Sequence, residues 1–250
     1  MNIDFQGQTV LVTGATRGMG KRFADDFAKL GADLILTGTD KEKIERLNRE
    51  ARRDGQTFKK YYAVDFANAE STKVFLEAIE TYQKIDVCIN NAGINRINFI
   101  DETSLEDWKD ILNVNLDAPF RIIRTVSRLM KKNRYGRIVN IASIFGCISK
   151  AKRSMYTTTK FGLRGLTVTS SIELAPYNVL VNSVSPGFVL TELTKKILSK
   201  AEMKDLACQV PMGRFAEPDE ISKVVLFLAS SLNTYLTGQN IVVDGGFVNV

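Results

Sequence analysis

The chain has no histidine, so proton chemistry near neutral pH cannot run on imidazole. It has three cysteines, Cys88, Cys147 and Cys208, odd in number and widely spaced. That argues against a disulfide framework and against a zinc site, and no metal is expected. The same sparse cysteine fits a reducing, cytoplasmic setting. No apolar run approaches the ~18 residues that a membrane span needs, so no membrane partner is expected. The start, Met1-Asn2-Ile3-Asp4-Phe5-Gln6, lacks the basic and apolar pattern of a secretory signal. Proline-rich, serine-rich and repeated segments are missing too, and the length of 250 suits one α/β domain spanning 1–250. Charge of one sign is also scarce in blocks. The net charge is +6, but the densest basic stretch, 41–60, is interleaved with Glu42, Glu45, Glu50 and Asp54. That pattern reads as a solvated, salt-bridged helix, and no nucleic-acid partner is expected.

What the chain does have is a succession of short apolar runs, at 10–13, 34–37, 61–64, 87–90, 138–142, 179–184 and 241–243. Several are continuous rather than alternating, as strands covered on both faces are. Helix-like segments lie between them, so right-handed crossovers and a doubly wound parallel sheet are predicted. Ligands of such sheets bind at the carboxyl ends of the strands. Gly14, Asp65, Asn91, Ser143 and Pro186 each directly follow a predicted strand. The first of these opens a glycine-rich turn, Thr13-Gly14-Ala15-Thr16-Arg17-Gly18-Met19-Gly20. A helical pattern through Phe23, Ala24, Phe27 and Leu30 follows it. Strand, glycine turn and helix together place a pyrophosphate on a helix N-terminus.

A second group carries proton chemistry. Tyr156 and Lys160 stand four apart, one helical face, with Ser143 upstream. An ammonium beside a phenol lowers the phenol's pKa from about 10, while a serine hydroxyl can hold a carbonyl oxygen. Without its context, this pair reads more readily as an amphipathic helix with a solvated lysine, and the context reverses that.

These motifs together resemble the short-chain dehydrogenase/reductase family along nearly the whole chain. The matches are Thr13 to Gly20, Asn90-Asn91-Ala92-Gly93, Asn115, Ser143, Tyr156, Lys160, Pro186-Gly187 with Thr191, and the segment from Leu236 to Gly246. The resemblance implies a Rossmann fold of seven parallel strands in the order 3-2-1-4-5-6-7. It also implies NAD(P)(H)-dependent interconversion of a ketone and a secondary alcohol. Tyr156 would be the acid or base, Ser143 the holder of the substrate oxygen, and Lys160 the group that lowers the tyrosine pKa and bonds the nicotinamide ribose. Asn115 would link Lys160 to solvent through water; a helix kink or local cap is its other reading. The cofactor set implied is Gly14, Thr16, Arg17, Gly18, Met19 and Gly20 in the turn, and Thr39, Asp65, Phe66, Asn91 and Gly93 after the next strands. Tyr156, Lys160, Pro186, Gly187 and Thr191 complete it. Residues 188–211 would be a flap over the substrate, with Leu193, Ile197 and Leu198 on one side; a surface helix pair is the alternative.

Gly38 stands where an acid would bond the adenosine ribose and repel a 2′-phosphate, and Arg17 lies in the turn, so NADP(H) is favoured over NAD(H). Thr39 and Lys41 agree, whereas Asp40 would oppose this if it turned inward. Near the catalytic group, Arg96, Lys150, Lys152 and Arg153 are positive. Together with Ser143 they suggest a small polar, anionic substrate such as a keto-sugar acid, as in gluconate 5-dehydrogenase-like members. An exposed loop on an oligomer surface explains them as well. A 3-oxoacyl-acyl-carrier-protein reductase is the rival, with an acidic carrier protein meeting Lys131, Lys132 and Arg134, although Tyr177 replaces a second docking arginine. A non-catalytic nucleotide sensor or scaffold is a third reading, opposed by the intact catalytic set. A homotetramer is implied by relatives, with Phe120, Ile123, Val126 and Met130 and the tail Phe247 to Val250 as its apolar surfaces.

Overall fold

The computed structural model describes residues 2–56 and 58–250, apart from the side chains of Leu193 and Ile197, which lie outside the described set. Seven parallel strands form one sheet in the order β3-β2-β1-β4-β5-β6-β7. They are β1 (Thr9–Val12), β2 (Asp33–Gly38), β3 (Lys59–Ala63), β4 (Val87–Asn90), β5 (Gly136–Ile141), β6 (Val179–Pro186) and β7 (Asn240–Val243). The apolar runs predicted all seven, and only their ends differ; Pro186 closes β6 rather than following it. β1, β4, β5 and β6 are buried along their whole lengths, so their sequences are mostly apolar, with buried polar residues such as Asn140, Asn182 and Ser183 among them.

Helices cover both faces. On one, α1 (Gly18–Lys29) and α9 (Pro218–Ala229) pack with Phe5, Phe23, Phe27, Ile221 and Val225 in a common core. On the other, α3 (Ala69–Glu80) and α5 (Ala118–Asn133) contribute Phe75, Ile79, Ile122 and Val126. Each such buried side chain contributes about 1.5–3 kcal/mol relative to exposure. The remaining helices are α2 (Lys41–Arg53), α4 (Leu105–Leu112), α6 (Ser154–Leu174), α7 (Glu192–Ile197) and α8 (Lys200–Cys208). Among the described residues, no helix is long and apolar enough to cross a membrane.

Two expectations about apolar surface change. Ile123, Val126 and Met130 face the chain's own core at 5% exposure or less, so of that stripe only Phe120 is exposed. Phe161, Val168 and Ile172 of α6 are the exposed apolar residues on the companion helix. The C-terminal residues are not a strand: β7 ends at Val243, and Phe247–Asn249 form a single 3₁₀ turn. The ring of Phe247 meets Phe188 at 5.1 Å, and Phe188 stacks on Phe215 at 5.3 Å. Two glycines explain the break, because Gly245 and Gly246 both adopt left-handed φ.

Candidate active site

The catalytic candidates converge at the carboxyl ends of β4 and β5. Ser143 lies just beyond β5, and its hydroxyl accepts from the Phe145 N–H at 3.1 Å, leaving its O–H free to donate. Tyr156 and Lys160 lie on one face of α6, with the Lys160 Nζ 5.5 Å from the Tyr156 ring centre. That ammonium is buried and donates to the Ile141 carbonyl at 2.8 Å. Burial pulls its pKa down to about 8. Tyr156 departs from the sequence expectation. Burial raises its pKa, and the groups that pull it back down are Ser143 and Arg153 rather than Lys160. The Lys160 ammonium is directed at the Ile141 carbonyl and lies 5.5 Å from the tyrosine ring centre.

Asn115 sits in a π-helical turn, Asn113–Asp117, that joins α4 to α5, and the Ala118 N–H reaches back to the Asn113 carbonyl. Such turns recur at functional sites. The Asn115 side chain is taken up by protein partners: it donates to the Ile94 carbonyl at 2.9 Å and accepts from the Ile94 N–H at 2.9 Å. It also donates to Thr159 at 3.2 Å. A Cβ placed on Gly93 would lie 3.4 Å from the Asn115 Oδ1 and 3.7 Å from the Lys160 Nζ, so these three residues share one corner.

From that corner a cleft of about 270 Å³ runs across the carboxyl ends of β1, β2 and β4. Of the predicted cofactor residues, Gly14, Thr16, Arg17, Gly18, Met19 and Gly20 line it, as do Thr39, Asp65, Phe66, Asn91, Gly93 and Thr191. Tyr156, Lys160, Pro186 and Gly187 do not line it; Gly187 packs against Asp244, where an added Cβ would come within 2.8 Å. Thr37, Val64, Ile94, Val114 and Glu192 line it without having been singled out. Thr37 had a readable signal, the polar end of an apolar run; the others had none.

Close approach explains the glycines. Gly14 has φ +64°, and its added Cβ would lie 3.0 Å from the Ala92 Cα. A Cβ on Gly20 would collide with the Gly14 carbonyl and the Asn91 side-chain nitrogen. The Asn91 amide clamps the turn from the other side, donating to the Thr13 carbonyl at 2.8 Å and the Gly14 carbonyl at 3.2 Å. Thr13 in turn accepts from the Asn91 and Ala92 N–H groups, each at 2.9 Å. A narrow floor of backbone with no Cβ in the way fits a dinucleotide pyrophosphate.

Position 38 is tighter than its sequence suggests: a Cβ there would stand 2.5 Å from the Thr16 methyl. Asp40 is turned outward, accepting the Lys43 N–H at 2.9 Å as the cap of α2.

The four cations assigned to substrate separate. Arg96 is ion-paired with Asp107 and Asp110, so carboxylates of its own chain answer its charge. This corrects the expectation that it stands ready for an anion. Lys150 is exposed, and Lys152 lies over the Phe99 ring at 4.3 Å. Arg153 differs: its guanidinium lies 5.5 Å from the Phe145 ring centre, and its buried Nη1 has no hydrogen-bond partner. Phe145 itself meets the Tyr156 ring at 6.3 Å.

A Rossmann sheet, a glycine cradle and a Ser-Tyr-Lys corner define a class, and comparison agrees: a family model described as enoyl-(acyl carrier protein) reductase matches residues 14–248. The chain belongs to the short-chain dehydrogenase/reductase family and is an oxidoreductase of the kind that uses NAD(P). Among curated relatives it is 41% identical to the 3-oxoacyl-[acyl-carrier-protein] reductase FabG of Aquifex aeolicus, covering 98% of this chain and 99% of that one. The protein of the same name from Escherichia coli is 34% identical, over 99% and 100%. Among solved structures, a gluconate 5-dehydrogenase from Burkholderia cenocepacia in complex with NADP and tartrate superimposes with a TM-score of 0.90. It is 30% identical, with 99% and 97% covered. A putative NAD(P)-dependent gluconate 5-dehydrogenase from Beutenbergia cavernae with bound NADP gives 0.90 at 32% identity, over 99% of both chains.

Proposed function

We propose that this enzyme interconverts a small anionic ketone and its secondary alcohol with NADP(H). Tyr156 serves as proton donor and acceptor, and Arg153 grips the substrate's acidic group. The observation that carries the substrate class is the buried, unpartnered Nη1 of Arg153 beside Phe145 and Tyr156. A buried guanidinium nitrogen without a partner is costly, and a carboxylate satisfies it. Among the described residues no carboxylate pairs with Arg153, in contrast to Arg96 with its two aspartates. The tartrate in the Burkholderia relative, a small hydroxy acid, agrees with this reading.

When bound, the nicotinamide supplies or accepts the hydride. Gly14, Gly18 and Gly20 would floor the pyrophosphate, Asp65 and Phe66 the adenine end, and Asn91, Gly93 and Thr191 the other half of the cleft. NADP is favoured by the lack of a carboxylate at Gly38 and by Asp40 being held on the α2 cap, with Arg17 at the cleft edge. Ser143 would donate to the substrate oxygen and Tyr156 would move the proton. Lys160, fixed on the Ile141 carbonyl, would sit where the ribose meets the phenol. Residues 188–211, bridged to the body at Val189 and Ala216, would cover the substrate. The exposed faces of Phe120, Phe161, Val168 and Ile172 would pair copies into a tetramer.

A second reading, 3-oxoacyl-acyl-carrier-protein reductase, has its own support. The Aquifex relative is 41% identical, and Ile97, Phe99 and Ile100 expose apolar surface close to Lys152, suited to an acyl chain. The test is a panel of keto-sugar acids and an acetoacetyl thioester, run with wild type and Arg153→Gln. A KM rise confined to the acids in the variant is expected. Thioester reduction that ignores Arg153, with no acid turned over, would transfer the case to the carrier-protein reading.

A further inference from the structure

We infer that Lys43, on the first turn of α2, is a specificity residue for the 2′-phosphate of NADP(H), acting beside Arg17. This rests on the NADP(H) reading above and names a residue that reading does not use. The Lys43 ammonium reaches back across the cleft edge and donates to the Thr16 carbonyl at 3.0 Å. Thr16, Arg17, Gly38 and Thr39 form that end of the cleft. One of the three ammonium donors is spent on Thr16, leaving two for an anion. Lys43 is half-buried, and no carboxylate pairs with its ammonium among the described residues, unlike Lys21, which is held by Asp25.

The same residue also disposes of the local acid. Its backbone N–H holds the Asp40 carboxylate at 2.9 Å as the helix cap, away from the ribose edge. Arg17, at the N-cap position of α1, makes no capping bond with its side chain and is exposed. Arg17 and the Thr39 hydroxyl line a cleft end whose wall, at Gly38, carries no carboxylate, and Lys43 stands behind it, bonded to Thr16 of the lining. Lys41 is closer in sequence to Gly38 but is exposed, and among the described residues nothing ties its amine to the cleft.

The test is titration of NADPH and NADH, by protein fluorescence, against wild type, Lys43→Met and Lys43→Arg, with melting temperatures alongside. A charge-assisted contact predicts NADPH binding about tenfold weaker in Lys43→Met, NADH binding unchanged, and most of the loss restored by Lys43→Arg. Equal weakening of both cofactors would make Lys43 only a strut between α2 and the glycine turn and overturn the inference. Unchanged NADPH binding would overturn it too. A wild type that holds NADH as tightly as NADPH would remove the cofactor reading itself and Lys43's role with it. A wild type that prefers NADPH, with Lys43→Met keeping the full preference, would remove Lys43 alone.

Discussion

The cleft proposed for the cofactor and the loops proposed for the substrate are built on opposite plans. The cleft is backbone: Gly14, Gly20, Thr13 and Asn91 touch so closely that a single added Cβ collides. The loops present side chains: Phe145, Lys152 and Arg153 between β5 and α6, and Phe99 after β4. A backbone cradle recognises a feature that every dinucleotide shares, so it tolerates little change. Side chains on loops can be exchanged without disturbing the sheet, and that is where relatives named for different substrates can diverge on one scaffold.

The sharpest way to probe the contrast is at the junction. Tyr156→Phe should cut kcat on the order of 10²–10⁴-fold while NADPH titration stays near wild type; more than about a tenth of the activity remaining would demand another proton donor. Within the cleft, Gly20→Ala should damage NADPH and NADH binding together and lower the melting temperature, as an overpacked contact costs about 1–3 kcal/mol. Intact binding in that variant would mean the cradle can spread, and the contrast would soften.

Position 38 yields a smaller and more pointed effect. Gly38→Asp alone should weaken both cofactors, because its Cβ meets the Thr16 methyl at 2.5 Å. Pairing it with Thr16→Ala should release the crowding and turn preference toward NADH. A single Gly38→Asp that already prefers NADH without loss would show that Thr16 moves freely.

The smallest effect is in stability against pH. Lys160 is at about 8 when folded against an ordinary 10.5, so below pH 8 both states carry the proton and the burial cost is fully present. Between pH 8 and 10.5 the unfolded chain binds more protons, and stability should rise with pH. The stability difference between wild type and Lys160→Met should therefore shift in the wild type's favour across that window and stay level below it. A difference flat to pH 10.5, read by denaturant unfolding, would contradict this.

The sheet and the cradle were legible because their signals are local. An unbroken apolar run such as Val10-Leu11-Val12, ended at once by a glycine turn, reads as a covered strand, and such a turn between a strand and a helix has few other uses. The spacing of Tyr156 and Lys160 put them on one helical face, as found, but gave no hint that Lys160 bonds the Ile141 carbonyl. Charge was the least legible property. Arg96 and Arg153 look alike in sequence, and only the fold reveals that Asp107 and Asp110 lie against one while, among the described residues, no acid pairs with the other. Helical spacing misled for Ile123, Val126 and Met130, because one apolar stripe serves an inner core and an outer contact equally well. Asn115 carried two readings because a π turn leaves no mark in composition.

The three-ring contact of Phe188, Phe215 and Phe247 ties the C-terminus to the proposed cover. Phe188 opens the segment proposed to cover the substrate, and Phe247 braces it from the last turn of the chain. Phe5, by contrast, is bedded against Phe27 in the first core and makes no ring contact with that segment among the described residues. A change at Phe247 is thus felt directly at the head of the proposed cover, whereas a change at Phe5 is felt in the core beneath α1.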